Sequence, residues 1–203
     1  MAQTPTQNFL QIDQIREGVL LLKNKSLRGI IMVSSLNFAL KSSEEQESTI
    51  YQFQNFLNSL DFSLEINIQS RTLNITGYID KLSDIANKQT NELLKLQTIE
   101  YQKFIKQLIA GGKILAKNFF VIVPYTTVVI PGKKSPEIEE NQFQRAKSQL
   151  WQRMEFVVSG LKRCGLQCTA LNTSELIELF WSLYHPEEAE VGYYPEIPPE
   201  IIK

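Results

Sequence analysis

A single histidine, His185, excludes any metal site built on two imidazoles, because no second ring exists to share the work. Cysteine is almost as scarce: Cys164 and Cys168 are the only two in 203 residues. Two thiols at that spacing do not form the framework of a disulfide-stapled secreted domain, so a reducing cytoplasm is the expected setting. Excess charge of either sign is missing too. Lys plus Arg is 21 against 22 for Asp plus Glu, a formal net charge of −1. Affinity for nucleic acid comes largely from neutralising phosphates, so nucleic acid is not an expected partner. Long apolar runs are also lacking. The most apolar stretch, Phe119 to Ile130, is interrupted by Pro124 and two threonines and falls short of the ~20 residues that span a bilayer. The opening residues 1–8 have neither a basic region nor an apolar run, so no secretory signal is expected, and the sequons at Asn24, Asn74 and Asn172 lose their meaning.

What remains is ordinary globular composition, 43% hydrophobic and 21% charged, enough for one sizeable core. The expected organisation is a flexible start over 1–10, a single α/β domain over 11–186, and an extended, acidic, proline-rich tail over 187–203. Two short apolar runs, Gly18 to Leu22 and Arg28 to Val33, flank the polar turn Lys23-Asn24-Lys25-Ser26 and predict a β-hairpin. Ser42 with Glu45, and Ser43 with Gln46, both fit the spacing of a capping box. The helix they open carries Ile50, Phe53, Leu57 and Leu60 as a core-facing stripe. Leu64 to Gln69 alternates apolar and polar, which predicts a strand with one buried face. From Thr76 to Gly111-Gly112 the apolar positions predict one unusually long helix that must kink, break or project. Phe119 to Val123 reads as a central strand ending at Pro124, and Phe143 to Cys164 as a cleanly periodic helix stopped by Gly165. A short strand, Leu166 to Leu171, precedes a last helix capped by Asn172 and Glu175. The order ββαβαβαβα predicts a mixed, roughly five-stranded sheet with helices packed on it, an α/β (α+β) fold.

A search for reactive groups finds little. A P-loop needs Gly-x-x-x-x-Gly-Lys-Ser/Thr so that backbone amides wrap the phosphates while the hydroxyl holds magnesium. Gly160 to Gly165 has the glycine spacing but is followed by Leu166-Gln167, and Gly132-Lys133-Lys134-Ser135 has Thr127 where the first glycine belongs. Gly112-Lys113 has Gln107 at that place. Each is explained better as a turn or a helix stop. The carboxylate pairs Glu44-Glu45 and Glu139-Glu140 fall at helix starts, where they complement the dipole. No catalytic residue, metal ligand or cofactor site is therefore expected. One loop could meet a partner or an anionic membrane surface: Val128, Val129 and Ile130 form an apolar tip beside Lys133 and Lys134.

Several stretches together resemble a known family. These are Val33 to Ser42, Phe53 to Asp61, Ile68-Gln69-Ser70-Arg71, Val158 to Leu161 and Leu171 to Ile177. They are similar to the TraC-like proteins of conjugative transfer, or type IV secretion, over roughly Gln7 to Pro186. The resemblance is to the amino-terminal, non-motor part of the large secretion ATPases, and no residue here matches the motor's motifs. It implies a protein-interaction or assembly subunit peripheral to the inner face of the cytoplasmic membrane. Its implied partners are a TraC-type motor ATPase and inner-membrane subunits. Two other expectations stand beside it: a small cytoplasmic enzyme using Cys164, Cys168, His185 or Arg71, and a nucleic-acid accessory protein for DNA transfer.

Overall fold

The computed structural model describes residues 11–72, 76–110, 115–126, 140–186 and 188. The described chain divides into two compact units, one holding 11–68 and 118–178, the other 69–117 and the residues from Leu179 onward.

In the first unit the predicted hairpin is present as β2 (Val19–Leu22) and β3 (Leu27–Val33). Asn24 Oδ1 closes their connection by accepting hydrogen bonds from Ser26 N (3.0 Å) and Ser26 Oγ (2.6 Å). A sixth strand, β1 (Ile12–Arg16), was not expected. It joins β2 through a two-residue turn in which Glu17 and Gly18 both have positive φ, +50° and +75°. That conformation matches the twist of the flanking strands. It suits Gly18 and is uncommon for Glu17. The sheet runs β1-β2-β3-β5-β4, with β5 spanning Leu115–Tyr125 and β4 spanning Glu65–Thr72. The short strand β6 (Cys168–Ala170) shares with β2 the edge of β3 that β5 does not use. Every pairing of defined register is antiparallel, so no parallel crossover is seen there. β5 does not stop at Pro124. The proline lies opposite Arg28, Tyr125 opposite Leu27, and Arg153 donates to the Pro124 carbonyl at 2.8 Å.

Helix α4 (Glu140–Arg163) supplies the core. Its buried residues, Phe143, Ala146, Leu150, Met154, Val157 and Leu161, recur every three or four positions. They meet Leu21, Leu27, Ile31, Val121 and Val123 from the sheet. Gly29 lets α4 approach β3, since a Cβ there would lie 2.2 Å from Met154 Sδ. Gly165, at φ +86°, ends α4: its N–H bonds to Lys162 O and that of Leu166 to Leu161 O, two of the carbonyls the helix leaves unpaired. Helix α1 (Ser43–Asn58) begins with the capping box of Ser42 and Glu45. Its predicted stripe is corrected in part: Phe53 and Leu60 pack against the core, but Ile50 and Leu57 are exposed, and the buried residue is Phe56, packed on Gly160 of α4.

In the second unit the long helical run breaks, one of the three outcomes expected of it, into α2 (Thr76–Lys88) and α3 (Glu92–Ala110). The chain breaks at Gln89-Thr90-Asn91 because Asn91 caps α3. Its Oδ1 accepts from Leu93 N at 2.9 Å and its carbonyl from Lys95 N at 3.0 Å. The helices pack as a hairpin around Ala86, with Gln102 Nε2 donating to Ser83 Oγ (3.0 Å) and Ile79 O (3.3 Å).

The β1–β2 turn is also tied to α4 electrostatically. The Glu17 carboxylate accepts from Lys147 Nζ and from Gln144, while Arg16 meets Glu140 at 3.1 Å. The Lys147 hydrogen bond, more than any other influence, holds the Glu17 carboxyl below its ordinary value of 4.5, against the opposing pull of partial burial. A carboxyl lowered on folding adds stability above its unfolded value and loses it as pH falls through the folded one. Urea midpoints at neutral pH and below pH 4.5 should therefore lie closer together in Glu17→Gln than in the parent. An unchanged spacing would mean the pair contributes nothing.

Candidate interaction surfaces

The loop residues Val128, Val129, Ile130, Lys133 and Lys134 lie outside the described residues. The groups considered for chemistry are each explained by their own surroundings. Cys164 is buried, and its Sγ lies 3.5 Å from Gly160 O as donor. Burial pushes its thiol up, and it also dominates the upward shift of Cys168, to which Lys162 offers only partial opposition. A reactive cysteine needs the reverse, a stabilised thiolate. His185 stacks on Trp181, with ring centroids 5.2 Å apart, and its Nδ1 lies 3.1 Å from the Trp181 carbonyl. Arg71 is a half-exposed residue of β4. Among the described residues no group of three or more His, Cys, Asp or Glu is placed to hold a metal ion. No helix of those residues is long and apolar enough to cross a membrane.

Apolar surface is what stands out. On α3, Thr98, Ile99, Gln102 and Ile105 are half-buried and lie on the side that meets α2. A second stripe, Leu94, Tyr101 and Leu108 with Leu93 and Phe104 beside it, stays exposed. The seven-residue steps place Leu94, Tyr101 and Leu108 above one another on one helix face. On α2, Tyr78 and Ile85 are exposed at the same interval. The phenol oxygens of Tyr78 and Tyr101 are 3.3 Å apart, so both stripes belong to one face of the hairpin.

A second apolar feature lies wholly in the first unit. A groove of about 400 Å³ runs between the 3-10 turn Phe38–Leu40, α1 and the end of α4. Leu36, Phe38, Ile50, Phe53, Cys164 and Leu166 line it, with Thr49 and Gln54 as its polar members. The third is β4. The alternation in Leu64 to Gln69 predicted one buried face, and this too is corrected: Ile66 and Ile68 are 58% and 59% exposed. Sequence periodicity had marked Ile66 and Ile68 as one face of a strand. It carries no information on whether the same chain covers them.

Compared with family models and with curated protein sequences, the chain matches none.

Proposed function

We propose that this chain is a non-catalytic assembly subunit of a conjugation-type, type IV secretion machine, acting at the inner face of the cytoplasmic membrane. Its partners are a separate TraC-type motor ATPase and inner-membrane subunits. The secretion part of this reading rests on the family resemblance of Val33 to Ser42, Phe53 to Asp61 and Ile68 to Arg71. The binding part rests on one observation, the exposed face of the α2–α3 hairpin. Tyr78, Ile85, Leu94, Tyr101, Phe104 and Leu108 are each about half exposed there. Side chains of this size bury ~150–250 Å² when covered, so together they offer on the order of 500 Å². That is the scale of the largest patches on soluble proteins, which mark interaction sites.

Such a face would serve a helical partner by laying apolar ridges together. Co-expression with the TraC-type motor of the same host should give a complex that survives affinity purification. Tyr101→Asp with Phe104→Asp should weaken it by about 30-fold or more, the effect of losing a central anchor. Thermal unfolding of the variant alone should barely move, because both residues are exposed in the isolated chain. Capture unaffected by the double substitution would remove the hairpin from the interface. The absence of any secretion component from the purified material would remove the secretion reading itself.

A further inference from the structure

Strand β4 stands last in the sheet order, so its outer edge pairs with no other strand among the described residues. Long edges are normally blunted by a proline, a bulge, a central lysine or a covering loop, because their free N–H and C=O groups invite another strand. β4 is eight residues long and contains neither proline nor glycine. Its only charges are Glu65 at one end and Arg71 near the other. Neither makes a hydrogen bond or ion pair among the described residues.

We propose that β4 pairs with β4 of a second copy, antiparallel about a two-fold axis through Ile68, so that one sheet continues across a dimer. Among the neighbouring registers, this one alone sets the strand's two opposite charges against each other, whereas a dyad at Asn67 pairs Ile66 with Ile68 but leaves both charges unmatched. With the dyad at Ile68, Glu65 stands opposite Arg71 of the other copy, and symmetry makes this pair twice. Ile66 then faces Ser70, Asn67 faces Gln69, and Ile68 faces itself. A dyad normal to the sheet keeps like faces together, so Ile66 and Ile68 of both copies gather on one side. Side-chain alternation forbids a shift by half a residue, and the next allowed dyads are poorer. An axis at Asn67 sets Glu65 against Gln69, and one at Gln69 sets Arg71 against Asn67. Backbone hydrogen bonds along the free edge provide the attraction, and the terminal charges fix the register.

This pairing is independent of the secretion reading, and either can fail without the other. Sedimentation of the full chain at about 100 µM should show a dimer, well within reach of a micromolar interface. Glu65→Arg alone places like charges opposite each other twice and should raise the dissociation constant about tenfold or more, as should Arg71→Glu alone. The double variant E65R/R71E restores both pairs with their signs exchanged and should return the constant to within about threefold of the parent. Far-UV circular dichroism and thermal unfolding of the singles check that the protomer is intact. Ile68→Cys should form an intermolecular disulfide under mild oxidation, since directly opposed residues have Cα atoms about 4.5–5.5 Å apart. A monomeric parent, a dimer indifferent to the single swaps, or a double swap that fails to restore it would each overturn the proposal.

Discussion

Replacing Phe143 by alanine should cost about 3–5 kcal/mol of unfolding free energy, the range for emptying a fully enclosed aromatic site. Phe143 has no exposed surface and is the largest such side chain among the described residues. It lies in the first turn of α4 and belongs to the same buried core as Val19, Leu21 and Leu27 of the sheet. The Arg16 guanidinium sits 3.6 Å from its ring centroid, so truncation also deletes a cation–π contact worth about 0.5–2 kcal/mol. A domain of this size is stable by only ~5–15 kcal/mol, so the variant should lose about a fifth of its margin or more. Phe104→Ala is the control. The same residue type on the open face of α3 should shift stability by about 0.5 kcal/mol or less. Urea titrations of the two variants, at equal slope, make the comparison. A Phe143→Ala cost below about 1 kcal/mol would mean that α4 does not seat on the sheet as described.

Gly160→Ala should be destabilising, against the usual direction. Alanine in a helix interior ordinarily gains about 0.5–1 kcal/mol over glycine. Here the new Cβ would lie 2.2 Å from Phe56 Cδ2 and 2.8 Å from Cε2. A phenyl ring cannot yield as a chain end can, and Phe53 stands beside it with ring centroids 6.2 Å apart. Helix α1 must therefore move away from α4. Overpacking of this kind costs about 1–3 kcal/mol, which outweighs the backbone gain. In a Phe56→Leu background the same change should turn neutral or favourable, giving a coupling of about 1–3 kcal/mol in a double-mutant cycle. Gly29→Ala should be milder, because the atoms it meets belong to the flexible end of Met154. Additive behaviour of Gly160→Ala and Phe56→Leu would refute the close approach of the two helices.

Much of the fold was legible where a local signal and a tertiary demand coincide. The six buried residues of α4 are those its period picks out, and Gly165 ends the helix because its positive φ suits glycine. Asn172 and Glu175 cap α5 (Thr173–Tyr184) by mutual hydrogen bonds of 2.8 and 2.9 Å, at the spacing the sequence displays. Strand β1 was not legible, because Ile12 and Ile15 are three apart among polar residues and do not alternate. Its pairing with β2 comes from a turn that puts glutamate at positive φ, which sequence rules disfavour. The break at Asn91 left a trace in the polar run Lys88-Gln89-Thr90-Asn91-Glu92, but the apolar positions on either side kept a near-helical rhythm across it. The candidate surfaces were least legible. Ile66 and Ile68 read as inward-facing by pattern, and a pattern cannot tell a residue covered by its own chain from one left open.

The position of β3 has a consequence for synthesis. Ile31 pairs with Val121 on one side and Ala170 on the other, so an early strand waits for neighbours translated far later. A ribosome must deliver most of the chain before this strand has both its flanks, and until then Ile30, Ile31 and Val33 belong to a nascent segment with nothing to lie against. Loop closure over such separations is slow, and exposed strand edges invite misassembly. Nascent chains that stop short of β6 should therefore be held by chaperones more than chains that include it, which arrested ribosome complexes of the two lengths would compare.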